Sequence, residues 1–205
     1  MSKNKPGKRR KRPELKNLLL LIILSLLGRT GRYRLKHMLN LSENEGKVRL
    51  MLDELKQEAY VNVRRTGCVL TEKGEKLLKT LLERYNIIAI NEIDLKLLGL
   101  QDNCFAIQIR ERTQETKLSK IIELRDVAVR AGADGAILIY NDNGDLKIPK
   151  VYDNLYLELP KIAKKLHDTF KLGKKDIIIV GFSKDGWRAL EGALAIAKNI
   201  KNNFH

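Results

Sequence analysis

The sequence contains few of the residues that build metal sites and disulfide frameworks. Two cysteines, Cys68 and Cys104, in a chain of 205 residues are too few for the disulfide scaffold of a small secreted protein. The three histidines, His37, His167 and His205, lie far apart, and none has a cysteine at the spacing of a zinc motif. These absences exclude a disulfide scaffold and argue against a zinc site, so no metal or cofactor is expected.

Long hydrophobic runs are also missing. The longest strongly apolar run, LLLLIILSLL, covers only the ten residues 18–27, whereas a helix that spans a bilayer needs about 20. Its length and its basic flank also fit a secretory signal peptide, but no small-x-small cleavage pattern follows and two arginines lie within residues 28–32. We therefore expect a buried helix, no membrane partner and a cytoplasmic protein, with secretion as the alternative.

Acidic residues are scarce relative to basic ones. The chain has 25 Asp and Glu against 40 Lys and Arg, a formal net charge of +15. Residues 1–85 hold 21 basic and 9 acidic residues, a balance of +12, whereas residues 86–205 hold 19 and 16, a balance of +3. Such asymmetry is typical of a nucleic-acid-binding part joined to another unit, although an acidic membrane surface is also a polyanion.

The most basic segment is the N-terminus. Apart from Met1 and Pro6, residues 1–12 contain no apolar side chain, so we expect residues 1–13 to form a mobile arm that cannot pack. Its arginines, Arg10 and Arg12 among them, suit DNA phosphates or a minor groove. A solubilising tail and a nuclear address are the alternatives for this segment.

Three helices are expected after the arm. Residues 14–27 are apolar on nearly every face, so this helix must be covered by its own domain and also by the second domain or a dimer partner. Gly28 and Gly31 end it, and a second helix follows with apolar residues at i, i+3 and i+4. Ser42 and Glu45 form a capping box, which predicts the start of a third helix and completes a helix-turn-helix.

A small hairpin and a fourth helix come next. Residues 60–70 show β-branched residues at alternating positions around a tight Thr66–Gly67 turn. Thr71 is the expected N-cap of the next helix, whose apolar side consists of leucines and ends at Tyr85. The element order helix, helix, helix, hairpin, helix resembles the winged helix-turn-helix domains of prokaryotic transcription regulators. The strings that carry the resemblance are Ser42-x-x-Glu45-Gly46-Lys47-Val48-Arg49, Leu52-x-x-Leu55 and Leu70-Thr71-x-x-Gly74.

The resemblance covers residues 14–85 and implies that the third helix enters the major groove of duplex DNA. Arg and Asn side chains can read base edges, Gly46 would let the backbone approach DNA closely, and cations at the hairpin tip would contact phosphates or the minor groove. The expected DNA contacts are Arg10, Arg12, Arg32, Arg34, Asn44, Lys47, Arg49, Arg64 and Arg65. Solvated cations are the alternative interpretation, and some winged helices bind protein.

Residues 86–205 predict a separate α+β domain. The pattern gives the order ββ-α-ββ-α-β-α, with Phe105 to Ile109 as a half-buried strand and Asn143-Gly144 as a hairpin turn. Hairpins separated by helices favour a mainly antiparallel sheet with helices on one face, a two-layer α+β fold. Small alanines of the last helix suit either core packing or a dimer contact.

This second part resembles the small two-layer α+β domains of the GAD type, named for an insertion in certain tRNA-charging enzymes. The string is Ala131-Gly132-Ala133-Asp134-Gly135-Ala136. The pairing with a winged helix is similar to an uncharacterised archaeal family of regulators, and that resemblance supplies no catalytic residue.

Catalytic motifs are missing as well. Residues 181–186 superficially match a nucleophile elbow, but Asp185 replaces its second glycine and only the terminal His205 follows Ser183. Ser183 or Asp185 is better explained as a helix cap, with a small anion at the same turn as the alternative. No P-loop or dinucleotide fingerprint occurs, so we do not expect an enzyme.

The sequence therefore predicts a DNA-binding transcriptional regulator. Its partner is double-stranded DNA, and its second domain either forms a homodimer or senses a small-molecule effector. An RNA-associated module, suggested by the GAD-like string and the arm, is the second hypothesis. An enzyme with a regulatory winged helix is the third.

Overall fold

The first part of the chain folds into the predicted order of elements. The computed structural model describes residues 15–100, 102–110 and 120–203; we call residues 15–85 the front half and residues 86–203 the back half. The elements of the front half are α1 (Leu15–Leu27), α2 (Arg32–Met38), α3 (Glu45–Gln57), β1 (Val61–Arg64), β2 (Gly67–Leu70) and α4 (Glu72–Arg84). The expected helices and hairpin are confirmed, whereas the arm lies outside the described residues.

The start of α3 differs from the expected capping box. Asn44, not Ser42, is the N-cap, and its Oδ1 accepts a hydrogen bond from Lys47 N at 3.1 Å. Glu45 is consequently the first residue of the helix and cannot reach back as a capping box requires. Ser42 Oγ instead lies 3.1 Å from His37 Nδ1, so the capping-box prediction was wrong.

The hairpin pairs as expected, with its turn one position earlier. Arg64 pairs with Gly67, so the two residues between them form the turn rather than Thr66–Gly67. Gly67 has φ +127°, a backbone conformation that side chains disfavour. Thr30 bridges to Cys68 through N–O distances of 3.0 and 2.8 Å, which ties the loop between α1 and α2 to the hairpin.

A glycine allows α4 to lie directly against the hairpin entry. Thr71 is the N-cap, as predicted, and its Oγ1 accepts from Gly74 N at 3.0 Å. A Cβ atom at Gly74 would lie 2.0 Å from Tyr60 O, which is too close for any side chain. The same Tyr60 oxygen accepts from Thr71 N at 3.0 Å.

The back half contains one five-stranded sheet. Its elements are β3 (Ile87–Ile93), a 3₁₀ turn (Lys96–Leu98), β4 (Asn103–Arg110), α5 (Lys120–Arg130), β5 (Gly135–Asp142), β6 (Asp145–Lys147), α6 (Leu155–Glu158), α7 (Pro160–Thr169), β7 (Asp176–Ser183) and α8 (Gly186–Asn203). The strand order is β3-β4-β7-β5-β6, and the neighbouring strands pair antiparallel. The mainly antiparallel α+β prediction is confirmed.

The expectation of helices on one face is wrong. Ile177 and Ile179 of β7 face the core shared with α5 and α8, whereas Ile178 and Val180 face a second core with α6 and α7. Helices therefore cover both faces, and β4 is buried on both sides rather than half-buried. Its polar residue, Gln108, is 1% exposed and donates to Asp176 Oδ2 at 2.6 Å.

A continuous apolar core joins the two halves. Buried side chains of α1 and of α8 belong to the same cluster, so the back half covers the second side of α1. The small residues of α8 serve contacts within the chain, since Ala189 and Ala193 are fully buried and a Cβ at Gly192 would lie 2.5 Å from Ala133 Cβ. Leu26 and Leu27, at the end of α1, remain 50% and 37% exposed.

Within the described parts of the chain, every helix is too short or too polar to cross a membrane.

Candidate nucleic-acid interface

A basic groove separates α2 from the first turns of α3. It has a volume of about 460 Å³ and includes Arg32 and Lys36 from α2 and Gly46 and Arg49 from α3. Lys36 Nζ lies 3.9 Å from Glu45 Oε2. The groove therefore contains three cations beside one carboxylate, on a surface formed by α2 and α3.

The two expected cations of α3 do not share one face. Lys47 and Arg49 are two positions apart, which places them about 200° apart around a helix. The face between them carries Leu50, which is 59% exposed, and the exposed Asp53. Arg49 lies on the flank of the basic groove, and Lys47 lies on the opposite flank.

Lys47 lies near the back half. Burial raises the pKa of Glu191 in α8, and the charges of Lys16, Arg188 and Lys47 oppose that rise. Lys47 is thus close enough to α8 to act on a carboxylate there. Asn44 uses its Oδ1 as the N-cap, which leaves its amide NH₂ as a donor for another group.

Arg34 lies on the other flank of α2. It lines a groove of about 540 Å³ with Tyr33, His37, Asp185 and Trp187. The Tyr33 and His37 ring centroids are 4.5 Å apart. The structure therefore separates Arg32 from Arg34, because residues two positions apart in a helix point in different directions.

The hairpin tip forms a second basic surface. Arg64 and Arg65 are both exposed, and Arg29 Nη1 donates a hydrogen bond to Thr66 Oγ1 beside them. Burial raises the pKa of the Cys68 thiol, and the nearby Arg32 guanidinium opposes that rise. Thr30 bridges to Cys68 of the hairpin, and Arg32 begins α2 two residues after Thr30, so the two basic surfaces are neighbours.

Sequence reasoning omitted two cations from the expected contacts. Lys36 follows Arg32 by four positions, and this spacing places both on one helix flank. Arg29 precedes α2 and lies beside the hairpin because the neighbouring Thr30 bridges to Cys68, a residue far away in the sequence. Helical spacing was therefore a usable signal for Lys36, whereas nothing in the sequence marked Arg29. Arg10 and Arg12 lie outside the described residues.

Backbone amides of the turn between β7 and α8 already donate hydrogen bonds to side chains of the same chain. Lys184 N donates to Asp134 Oδ2 at 3.1 Å, and Trp187 N donates to Asp185 Oδ1 at 2.9 Å. The expected cap at Asp185 is confirmed, and these amides already have acceptors, which argues against the anion alternative. The residues that the structure describes contain no cluster of three metal-ligating side chains.

A larger groove lies beside this turn. It has a volume of about 620 Å³ and is lined by Leu26 and Leu27 of α1, by Ile90 of β3 and by Phe105 and Trp187 of the back half, among others. The Phe105 and Trp187 rings are 5.7 Å apart. The groove thus combines apolar surface from both halves.

Comparison with known proteins gives a fold and a family model without a described activity. No curated protein matches the chain. A hypothetical protein from Pyrococcus horikoshii OT3 matches with a TM-score of 0.70 and 23% identity, over 95% of this chain and 96% of that one. This likeness shows the fold alone. Residues 100–200, which lie in the back half, match the family described as Domain of unknown function (DUF4443).

Proposed function

We propose that the protein is a DNA-binding transcriptional regulator whose front half is a winged helix. The observation that carries the proposal is the adjacency of two basic surfaces, the α2–α3 groove and the hairpin tip. Arg32, Lys36 and Arg49 line the first, and Arg64 and Arg65 are exposed on the second. A helix pair with a basic hairpin beside it matches the geometry by which winged helices hold duplex DNA.

The distribution of charge supports phosphate contacts more than base reading by α3. The outward face of α3 carries Leu50 and Asp53 rather than a row of cations. Arg49 and the Nδ2 of Asn44 are the side chains that suit base edges. Lys47 suits a phosphate next to the back half.

Selection of bound genomic fragments with the purified chain tests the proposal. A recurrent duplex site supports a regulator, whereas preferential recovery of structured RNA from a matched pool favours the RNA-associated alternative. Replacing Arg64 and Arg65 with Ala is expected to reduce the salt slope of binding by about one unit per lost phosphate contact. The matched control is Lys161→Ala with Lys164→Ala, because both lysines are exposed on α7.

For the back half we propose either a homodimer contact or an effector site. The groove of about 620 Å³ beside Trp187 falls in the size range of small-molecule pockets, which favours the effector. Equilibrium sedimentation tests the dimer: twice the mass of the chain supports it, and the mass of one chain with one-to-one DNA binding contradicts it.

A further inference from the structure

A partly buried cation lies where the two halves meet. The side chain of Lys16, on α1, is 19% exposed. Its Nζ donates to Leu39 O at 2.6 Å and to Glu191 Oε2 at 2.6 Å. Leu39 is the C-cap of α2, where a carbonyl without a partner inside the helix accepts from a cation favourably. One ammonium group therefore connects α1, the end of α2 and α8.

The acidic partner of Lys16 is even less exposed. The Glu191 side chain is 6% exposed, and a buried carboxylate needs a partner because burial disfavours its charge. That partner comes from the front half, 175 positions away in the sequence. The ion pair therefore forms only when α1 is packed against α8.

A second polar contact lies one turn earlier on α8. Arg188 Nη2 donates to Asn40 Oδ1 at 2.7 Å. Asn40 lies in the turn between α2 and α3 and has φ +51°, so this contact, between two exposed side chains, joins α8 to the turn. We call these four residues, Lys16, Asn40, Arg188 and Glu191, the α8 clamp. Arg188 thus contacts the turn between α2 and α3 directly, and Glu191 is connected to the end of α2 through Lys16.

We propose that the α8 clamp is a positioning device that holds α2 and α3 in the orientation that binds DNA, so that the back half sets the DNA affinity. The inference rests on the proposed function. Apolar packing alone is non-directional, whereas hydrogen bonds have preferred distances and angles, so the bonds to Leu39 O and Asn40 Oδ1 favour one placement of the α2–α3 turn against α1 and α8. If the clamp is lost, the competent orientation is populated less, and the apparent Kd rises by the same factor.

Glu191→Met separates positioning from simple electrostatics. The variant has a net charge of +16 instead of +15, so charge alone predicts tighter DNA binding. The clamp predicts the opposite: without Glu191 the Lys16 ammonium is no longer tied to α8, so the Kd should rise by about tenfold or more with an unchanged salt slope. Tighter or equal binding by Glu191→Met would overturn the inference.

The double variant Lys16→Met with Glu191→Met separates positioning from stability. Replacing a buried ion pair by apolar side chains is often neutral for stability, so the melting temperature should return towards that of the wild type. This variant also lacks the hydrogen bond from Lys16 Nζ to Leu39 O, so the Kd should stay raised. If the melting temperature and the Kd both returned to the wild-type values, the Lys16–Glu191 pair would have a structural role only. This variant also keeps the test decisive if a single variant does not fold.

Leu166→Ala is the matched control, because Leu166 of α7 is fully buried on the opposite face of the sheet. It should lower stability and leave the Kd within about twofold of the wild type, since α2 and α3 keep their orientation.

Amide hydrogen exchange on the free full-length chain makes the clamp testable without DNA. Residues 31–47 should exchange faster in the double variant than in Leu166→Ala, and equal exchange overturns the inference. If the wild-type chain does not bind duplex DNA at all, the proposed function fails and the positioning role in DNA binding fails with it. If the wild type binds and the clamp variants bind equally well, only the inference fails.

Discussion

Replacing Gly74 with alanine tests a close backbone contact that the front half depends on. The new Cβ would lie 2.0 Å from Tyr60 O and 3.0 Å from Tyr60 C. Ordinary contacts begin at about 3.5 Å, so α4 and the hairpin entry must separate by more than an ångström. The neighbouring atoms are backbone, which has no side-chain rotamer with which to move away.

The magnitude follows from three contributions. Overpacking costs about 1–3 kcal/mol, and weakening the hydrogen bond from Thr71 N to Tyr60 O costs about 1 kcal/mol. The higher helix propensity of alanine returns about 1 kcal/mol. We expect a net loss of about 2 kcal/mol, which for a chain of this length lowers the melting temperature by about 4–8 °C.

Gly46→Ala is the matched control in thermal unfolding followed by circular dichroism. Gly46 lies in α3, and a Cβ there would meet only Asn44 Oδ1 at 4.0 Å. This variant should gain about 0.5–1 kcal/mol, so the two substitutions have opposite signs. If Gly74→Ala is as stable as the wild type, the close approach between α4 and the hairpin is not present in solution.

Three further predictions concern caps, thiols and pH. Asn44→Ala should lower the free energy of unfolding by about 1 kcal/mol through loss of the cap, whereas Ser42→Ala should change it by less than about 0.5 kcal/mol; equal losses in urea denaturation would contradict the assignment. Cys68 and Cys104 are buried, and burial raises the pKa of Cys104 to about 11. Both thiols should therefore react with a disulfide reagent at pH 8 only as fast as the structure opens locally. Reaction as fast as in the unfolded chain would contradict their burial. Burial raises the pKa of Glu191, so the stabilisation that comes from its protonated form is present at low pH and is lost as the pH rises through the raised pKa. Relative to Glu191→Gln, the wild type should therefore lose free energy of unfolding from about pH 4 upwards. A difference between the two proteins that does not change with pH would contradict the burial of Glu191.

The sequence was sufficient for the elements of the fold and their order. Local signals determine these features: the helical spacing of apolar residues, Thr71 as a cap, and the Asn143-Gly144 turn, whose two residues have φ +57° and +118°. The N-cap of α3 was missed because Ser42 and Asn44 are both good caps, and the tight turn between Leu41 and Asn44, closed by an N–O contact of 2.9 Å, selects the second.

The covering of both sheet faces by helices could not be predicted, because the polar residue Gln108 is buried although its place in the pattern predicts exposure. Gln108 makes β4 look half-solvated, yet its amide is satisfied by Asp176 Oδ2 and by Lys171 O at 3.0 Å. A polar side chain can be buried when its hydrogen bonds are made, and Asp176 comes from β7, far along the chain. The candidate site was likewise predictable only where local spacing determines which residues are neighbours. Helical spacing groups Arg32 with Lys36, but the contact of Lys16 with Glu191 depends on tertiary packing.

The most direct test of the central claim is the salt dependence of duplex DNA binding by the full chain, measured by fluorescence anisotropy between about 50 and 200 mM salt. Five cations line the two adjacent basic surfaces: Arg32, Lys36, Arg49, Arg64 and Arg65. At about 0.9 per phosphate contact, they predict a slope of about −4 or steeper in log affinity against log salt. Absence of duplex binding at about 50 mM salt, or a slope near zero, would contradict the account.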